Sequence, residues 1–308
     1  MKNYFVKKSA LSVPWVESPF FHSLLESSTL NEKEKKQCQK FNKDGYLIID
    51  LDLRQDKIDK IISDMKKSLT EEETIFHADH FQYTESKRIF QLWKKSESCA
   101  KLTANKNILK TLNMLYGREA FPFSTINFFK GTNQPLHSDA IHFHSIPQLW
   151  MVGVWVALED TSVKNGTLKI VPGSHKWKIW DYEAINLPHP DTIKDGEKEN
   201  YREYENFLVQ LVKEKNIEAI SPDIKKGQAL IWSANLLHGG CNVEGITDFA
   251  LSRYSQVQHY FFKDCKIYYH PMFSRVSEGK YAKKWCDENN NILTHLTDMV
   301  QKNENSFK

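Results

Sequence analysis

The stretch INFFKGTNQPLHSD, residues 126–139, joins an apolar strand to a Lys130-Gly131 turn and then to a His-x-Asp triplet. Ile126 to Phe129 are β-branched or aromatic apart from Asn127, as a pleated and half-buried segment requires. If the chain is extended again at His137, residues two apart point the same way. His137 and Asp139 then offer an imidazole and a carboxylate to one point, with Ser138 turned away. The triplet alone is weak evidence, because His77-Ala78-Asp79 and His189-Pro190-Asp191 match it too. The latter sits between prolines in a loop-like segment, and the former follows the acidic run Glu71-Glu72-Glu73 with no β texture beside it. Only the triplet at 137–139 adjoins a strand.

Outward from this point the texture is β. FPFSTINFF (121–129), LWMVGVWVAL (149–158), GTLKIV (166–171), QALIWSANLLH (228–238) and DFALSRYSQVQHYFF (248–262) are separated by turn signals at Lys130-Gly131, Asn165-Gly166, Pro172-Gly173 and Lys226-Gly227. Many short strands without regular helices between them predict a mainly β core, an antiparallel sandwich or jelly roll, over about residues 118–270. An insertion at about 176–216 interrupts it and ends in a helical pattern, NYREYENFLVQLVKEK. Ahead of the core lies a helical layer, about 30–117. A charged helix spans Glu32 to Phe41, a turn follows at Asp44-Gly45, and a strand runs from Tyr46 to Ile49. Ile58, Ile61, Ile62, Met65 and Leu69 are spaced for a helix, and one further helix runs from Glu97 to Tyr116, stopping at Gly117. A polar, helical tail is expected over 275–308. The whole reads as one domain, 1–308, with flanking helices.

Composition narrows the class. The 308 residues are 40% hydrophobic, enough for a sizeable core, and the formal charge of +3 leaves no nucleic-acid footprint. The five cysteines are scattered with no C-x-x-C, so neither a disulfide framework nor a zinc ribbon is expected. No apolar run reaches the length of a membrane span, and the N-terminus lacks the h-region of a signal peptide. A cytoplasmic protein with a small-molecule partner is the expectation. The oligomeric state is not legible.

Two further residues extend the motif. His238 ends the strand-like QALIWSANLLH. With His137 and Asp139 it would complete a set of two imidazoles and one carboxylate, which suits ferrous iron with open positions, or zinc. Arg253 stands in an apolar strand, where a guanidinium needs an anion, either a ligand carboxylate or an internal Asp or Glu. A zinc-dependent cupin-type hydrolase or isomerase and a non-catalytic jelly-roll binding protein are the rival readings. His142 and His144 read as wall or supporting residues, and His175 as structural.

The ordered series of H-x-D at 137–139, N-G-x-L at 165–168, P-G-S-H-K at 172–176, His238 and Arg253, with KDGYLIID (43–50) as an entry strand, resembles the phytanoyl-CoA dioxygenase family of iron(II)- and 2-oxoglutarate-dependent oxygenases. The likeness covers about residues 120–262. It implies a double-stranded β-helix, a cupin-like jelly-roll barrel with helices outside. It implies Fe(II) held by His137, Asp139 and His238, 2-oxoglutarate as cosubstrate with its distal carboxylate on Arg253, and O2 as oxidant. It also implies that Asn127 contacts the cosubstrate and that Trp155 lines the pocket, though Trp155 reads equally as core packing. The chain departs from many relatives in carrying Ser138 between the ligands where they have Gln. It has Gly240 where some have Ser, and its arginine lies later than theirs, which falls near Asp248 and Phe249 here. The implied reaction is hydroxylation of a C–H bond with release of succinate and CO2. The 176–216 insertion and the aromatic segment 76–93 are the candidate lid and substrate wall.

Overall fold

The computed structural model describes residues 12–69, 88–188, 197–241 and 251–269. The readings of His77 and His189, of Phe76, Phe81 and Tyr83, and of the tail after Arg275 fall outside these residues.

The first part of the chain is helical where the sequence signals are strongest. After α1 (Phe21–Glu26), α2 (Glu32–Asp44) opens on a reciprocal cap: the Asn31 side chain accepts from the Glu34 amide and Glu34 accepts from the Asn31 amide. Gly45 ends α2 with φ of +79° and turns the chain into β1 (Tyr46–Asp50). Then come α3 (Gln55–Ser68) and the short β2 (Arg88–Phe90). The single helix expected over 97–116 is two: α4 (Glu97–Thr103) and α5 (Lys106–Tyr116). Asn105 breaks it, because its carboxamide oxygen accepts from the amides of Asn107 and Ile108 and so starts a new helix.

The β part comprises β3 (Ala120–Phe128), β4 (Phe143–Ile146), β5 (Met151–Ala157), β6 (Leu168–Ile170), β7 (Gln228–Ser233), β8 (His238–Gly240), β9 (Ser255–Phe262) and β10 (Lys266–Tyr269), with α6 (Glu197–Glu214) between β6 and β7. Six strands form one antiparallel sheet in the order β1-β7-β5-β9-β3-β2. Two antiparallel pairs, β10–β4 and β6–β8, stand apart from it.

Alternation divides the large sheet into two faces. Val152, Val154, Val156, Ile231, Tyr260 and Phe262 pack with Phe41, Ile58, Met65, Ile108 and Leu112 of the helices. Trp155, Leu230, Trp232 and Val257 point the other way and pack with Leu168, Ile170 and Leu236. Every residue of β5 is therefore buried, which explains why LWMVGVWVAL reads as an unbroken apolar run rather than an alternating one. Trp93, expected on a substrate wall, belongs to the helix-side core. The second face positions the site.

Candidate metal and cosubstrate site

Two remote segments meet first through their backbones. The His137 amide donates to the His238 carbonyl (2.9 Å), and the His238 amide donates to the His137 carbonyl (3.0 Å). This approach needs the H-G-G sequence. A Cβ on Gly239 would lie 2.5 Å from the Gln134 carbonyl oxygen, and one on Gly240 would lie 2.9 Å from the amides of Asn133 and Gln134. A serine at 240 would therefore collide with the segment that leads to His137.

The side chains converge above this contact. The Nε2 atom of His137 lies 3.9 Å from Asp139 Oδ1, and that of His238 lies 3.7 Å from Asp139 Oδ2. The three ligand atoms all lie within 4.8 Å of one another, and the three residues are buried. These gaps are too long for direct hydrogen bonds, and one ligand atom from each residue can share an ion at roughly 2.0–2.2 Å. The far nitrogens are already engaged: His137 Nδ1 with the Pro135 carbonyl (3.0 Å) and His238 Nδ1 with the Leu236 carbonyl (2.9 Å). A carbonyl only accepts, so each Nδ1 carries the proton and each Nε2 presents a lone pair to the metal position. The donor set fits a divalent metal.

Electrostatics agree with the geometry. Burial, and then the neighbouring His238, push His137 down to about 4, which keeps it neutral at neutral pH. Burial works to raise the Asp139 carboxyl, but the imidazoles of His238, His259 and His137 pull it down to about 2.

Asp139 begins a short 3-10 turn, Asp139–Ile141, before β4. The segment is thus not one continuous strand, and the parity expected for His142 relative to His137 is lost. The His142 ring lies 6.2 Å from that of His137 and 5.9 Å from that of Tyr201. Ser138 faces away from the ligands as expected and donates to Asn235 Oδ1 (3.0 Å). His175 meets the Asn42 carbonyl at the end of α2 (3.1 Å).

Arg253 is buried on the second face of the sheet, its guanidinium 5.5 Å from the Phe128 ring and 5.6 Å from the Trp155 ring. It donates to the Gly166 carbonyl (2.6 Å), while its Nε makes no hydrogen bond. Among the described residues it forms no ion pair. Burial and then Arg88 push it down to about 10, against the weaker pull of Glu159. That carboxylate is held by Ser252 and the Tyr254 amide instead. Trp155 is wholly buried beside Arg253 and belongs to the apolar cluster of this face, as core packing requires.

Asn127 is placed elsewhere. It pairs with Gln256 across β3 and β9, donates to its side chain (3.0 Å), and touches Cys99 of α4 (4.0 Å). It lies on the helix side of the sheet, the opposite face from Phe128 and Arg253, so the structure does not bring it together with them. A strand has two faces, and register rather than sequence decides which one is inside.

Three residues escaped the sequence reading. Arg88 is buried on β2 opposite Phe128 and lies close enough to lower the pKa of both Arg253 and His137. His259 Nε2 lies 3.9 Å from Asp139 Oδ2; it has the same strand parity as Arg253, the one signal available. The Trp232 indole donates to Asp139 Oδ2 at 2.8 Å. Outside the ligand segments, Tyr201, Tyr204, Leu208 and Val212 of α6 pack with Leu136, Ile141, Val171 and Leu237.

Two buried imidazoles and one carboxylate with converging ligand atoms form a donor set that suits a metal-dependent oxygenase. The chain belongs to the phytanoyl-CoA dioxygenase (PhyH) family, whose model matches residues 41–244, and it is an iron(II)- and 2-oxoglutarate-dependent dioxygenase. Among curated proteins it is similar to an ectoine dioxygenase of Nocardia farcinica, 25% identical over 74% of this chain and 78% of that one. Another, from Sphingopyxis alaskensis, is 24% identical over 66% of this chain and 69% of that one. Among solved structures, EctD from S. alaskensis with 2-oxoglutarate and 5-hydroxyectoine has a TM-score of 0.58 at 17% identity, covering 91% of this chain and 96% of that one. The carbocyclase SnoK from nogalamycin biosynthesis has a TM-score of 0.57 at 17% identity, covering 82% and 89%. At these identities the structural likeness speaks for the fold alone. No helix among the described residues is long and apolar enough to cross a membrane.

Proposed function

We propose that the chain hydroxylates a C–H bond of a small polar metabolite. His137, Asp139 and His238 would hold the iron, and Arg253 would receive the distal carboxylate of 2-oxoglutarate. The observation that carries this reading is the presence together of three converging ligand atoms and a buried arginine that has no carboxylate partner among the described residues. The large sheet and the two short strand pairs are read as the walls of a jelly-roll barrel enclosing both, within one domain spanning 1–308 in a cytoplasmic enzyme.

The bound iron supplies O2 activation, and the balance is R–H + 2-oxoglutarate + O2 giving R–OH + succinate + CO2. The protein's own part is placement. The carbonyls of Pro135 and Leu236 fix the tautomer of the two histidines. Arg253 orients the cosubstrate by a two-pronged bond to its carboxylate. Trp155 and Phe128 keep water from that bond and so strengthen it. The α6 insertion covers the ligand segments and is read as the lid.

The test is anaerobic addition of Fe(II) and then 2-oxoglutarate, watched for the visible charge-transfer band. Succinate release would then be screened with ectoine as the first substrate. A band with ectoine-stimulated succinate supports the reading and names the substrate. A band with stimulation by another metabolite keeps the reaction and replaces ectoine. Absence of the band in metal-loaded protein overturns the cosubstrate assignment. A zinc-loaded protein indifferent to O2 would favour the hydrolase or isomerase.

A further inference from the structure

The indole of Trp232 does more than fill space. Its Nε1 donates to Asp139 Oδ2 at 2.8 Å, with both residues buried. Its ring lies 4.6 Å from that of His238 and 6.4 Å from that of His259. One side chain therefore backs one ligand and bonds another. The indole's place is itself built. Trp232 stands opposite Gly153 across β7 and β5, and a Cβ on Gly153 would fall within the Trp232 ring, against Cε2, Cζ2 and Nε1. Any larger residue at 153 would displace the N–H from Asp139. Plain core packing would not demand this bond: Trp155, equally buried in the same cluster, leaves its N–H without a partner.

We propose that Trp232 is a positioning residue that fixes the rotation of the Asp139 carboxylate, so that its two oxygens cannot both close on the metal. An indole N–H suits the task because it donates one hydrogen bond, accepts none and cannot itself become a ligand. With Oδ2 held by the indole, Asp139 uses one coordination position and leaves the others to 2-oxoglutarate and O2. Without the indole, the carboxylate is free to turn and take a second position, competing with the cosubstrate.

This inference rests on the metal-site reading, and the experiment separates the two. Trp232→Phe keeps an aromatic ring and removes the donor. A second variant carries 3-benzothienylalanine at 232, in which sulfur replaces the N–H and the ring shape is kept, so that folding is preserved if the phenylalanine variant fails. Each is titrated with Co(II), recording affinity and the d–d absorption that reports coordination number, and then with 2-oxoglutarate. The expected result is an altered d–d spectrum and metal or cosubstrate affinity weakened roughly 10- to 100-fold, at an apo melting temperature near that of the native chain for the sulfur analogue. Unchanged spectrum and affinities in the sulfur analogue overturn the role of Trp232 and leave the metal site standing. Failure of the native protein to bind Co(II) or Fe(II) overturns both.

Discussion

His137 and His238 exchange both of their backbone hydrogen bonds. The two imidazoles are therefore held together by main chain before any metal arrives, and the residues that permit this are the glycines after His238. Gly239→Val should force the Gln134 carbonyl aside and cost about 1–3 kcal/mol. Metal affinity should fall with it, because the separation of the two ligand segments changes. Denaturant unfolding and Co(II) titration of the same preparation check both effects. A destabilised variant with native affinity would show that the backbone pairing does not set the site.

Arg253→Ala should leave metal affinity intact and raise the KM for 2-oxoglutarate by about 30-fold or more, the scale on which truncating a buried charged partner acts. Steady-state kinetics with varied 2-oxoglutarate, beside a metal titration, measures the split. Normal cosubstrate affinity would remove Arg253 from the site.

Asn127→Ala should behave in the opposite way. The side chain bonds Gln256 on the helix side of the sheet, so the variant should lose about 1 kcal/mol of stability with an unchanged KM for 2-oxoglutarate. A large rise in KM with little loss of stability would return Asn127 to the cosubstrate.

The N-terminal segment carries its own pH signature. Burial pushes the Glu17 carboxyl from 4.5 up to about 7, against the hydrogen bonds from Ser233 and Tyr116 and the attraction of Lys176. The native state then keeps a proton that the unfolded chain has released between these two values. The contribution of Glu17 to stability is full below pH 4.5 and is lost as the pH rises through 7. Glu17→Gln should therefore gain on the native chain across that window and level off above it, by about 1–2 kcal/mol because the side chain is only partly buried. Urea unfolding of both proteins at pH 5, 6, 7 and 8 gives the difference curve. The buried imidazoles of His137, His175 and His259, pushed down from 6.5 to about 4 chiefly by burial, destabilise both proteins alike below pH 6.5 and cancel from it. A flat difference would contradict the raised carboxyl.

Much of this site is legible in the chain because its chemistry is uneconomical anywhere else. A histidine and an aspartate two apart beside an apolar strand, a histidine closing a second strand, and an arginine within a third are all costly to bury without a purpose. Register is the part that is hidden. Asn127 and Phe128 are neighbours on one strand, and only the pairing of β3 with β9 tells which faces the arginine. Trp232 sits in an apolar run where any tryptophan passes for packing, and its bond to Asp139 depends on an absent side chain at Gly153, one strand away. Arg88 opens a three-residue strand, too short for periodicity to mark. The Asn105 cap is hidden by a helical pattern that continues past it.

The α6 segment has a practical consequence for anyone re-engineering the enzyme. Its tyrosines and leucine pack in one cluster with Leu136 and Leu237, each the residue just before a candidate ligand histidine. Excising residues 176–216, or swapping them wholesale for a shorter loop, would strip the outer cladding from both histidine segments at once. Changes to this segment are better made side chain by side chain on a helix that stays in place.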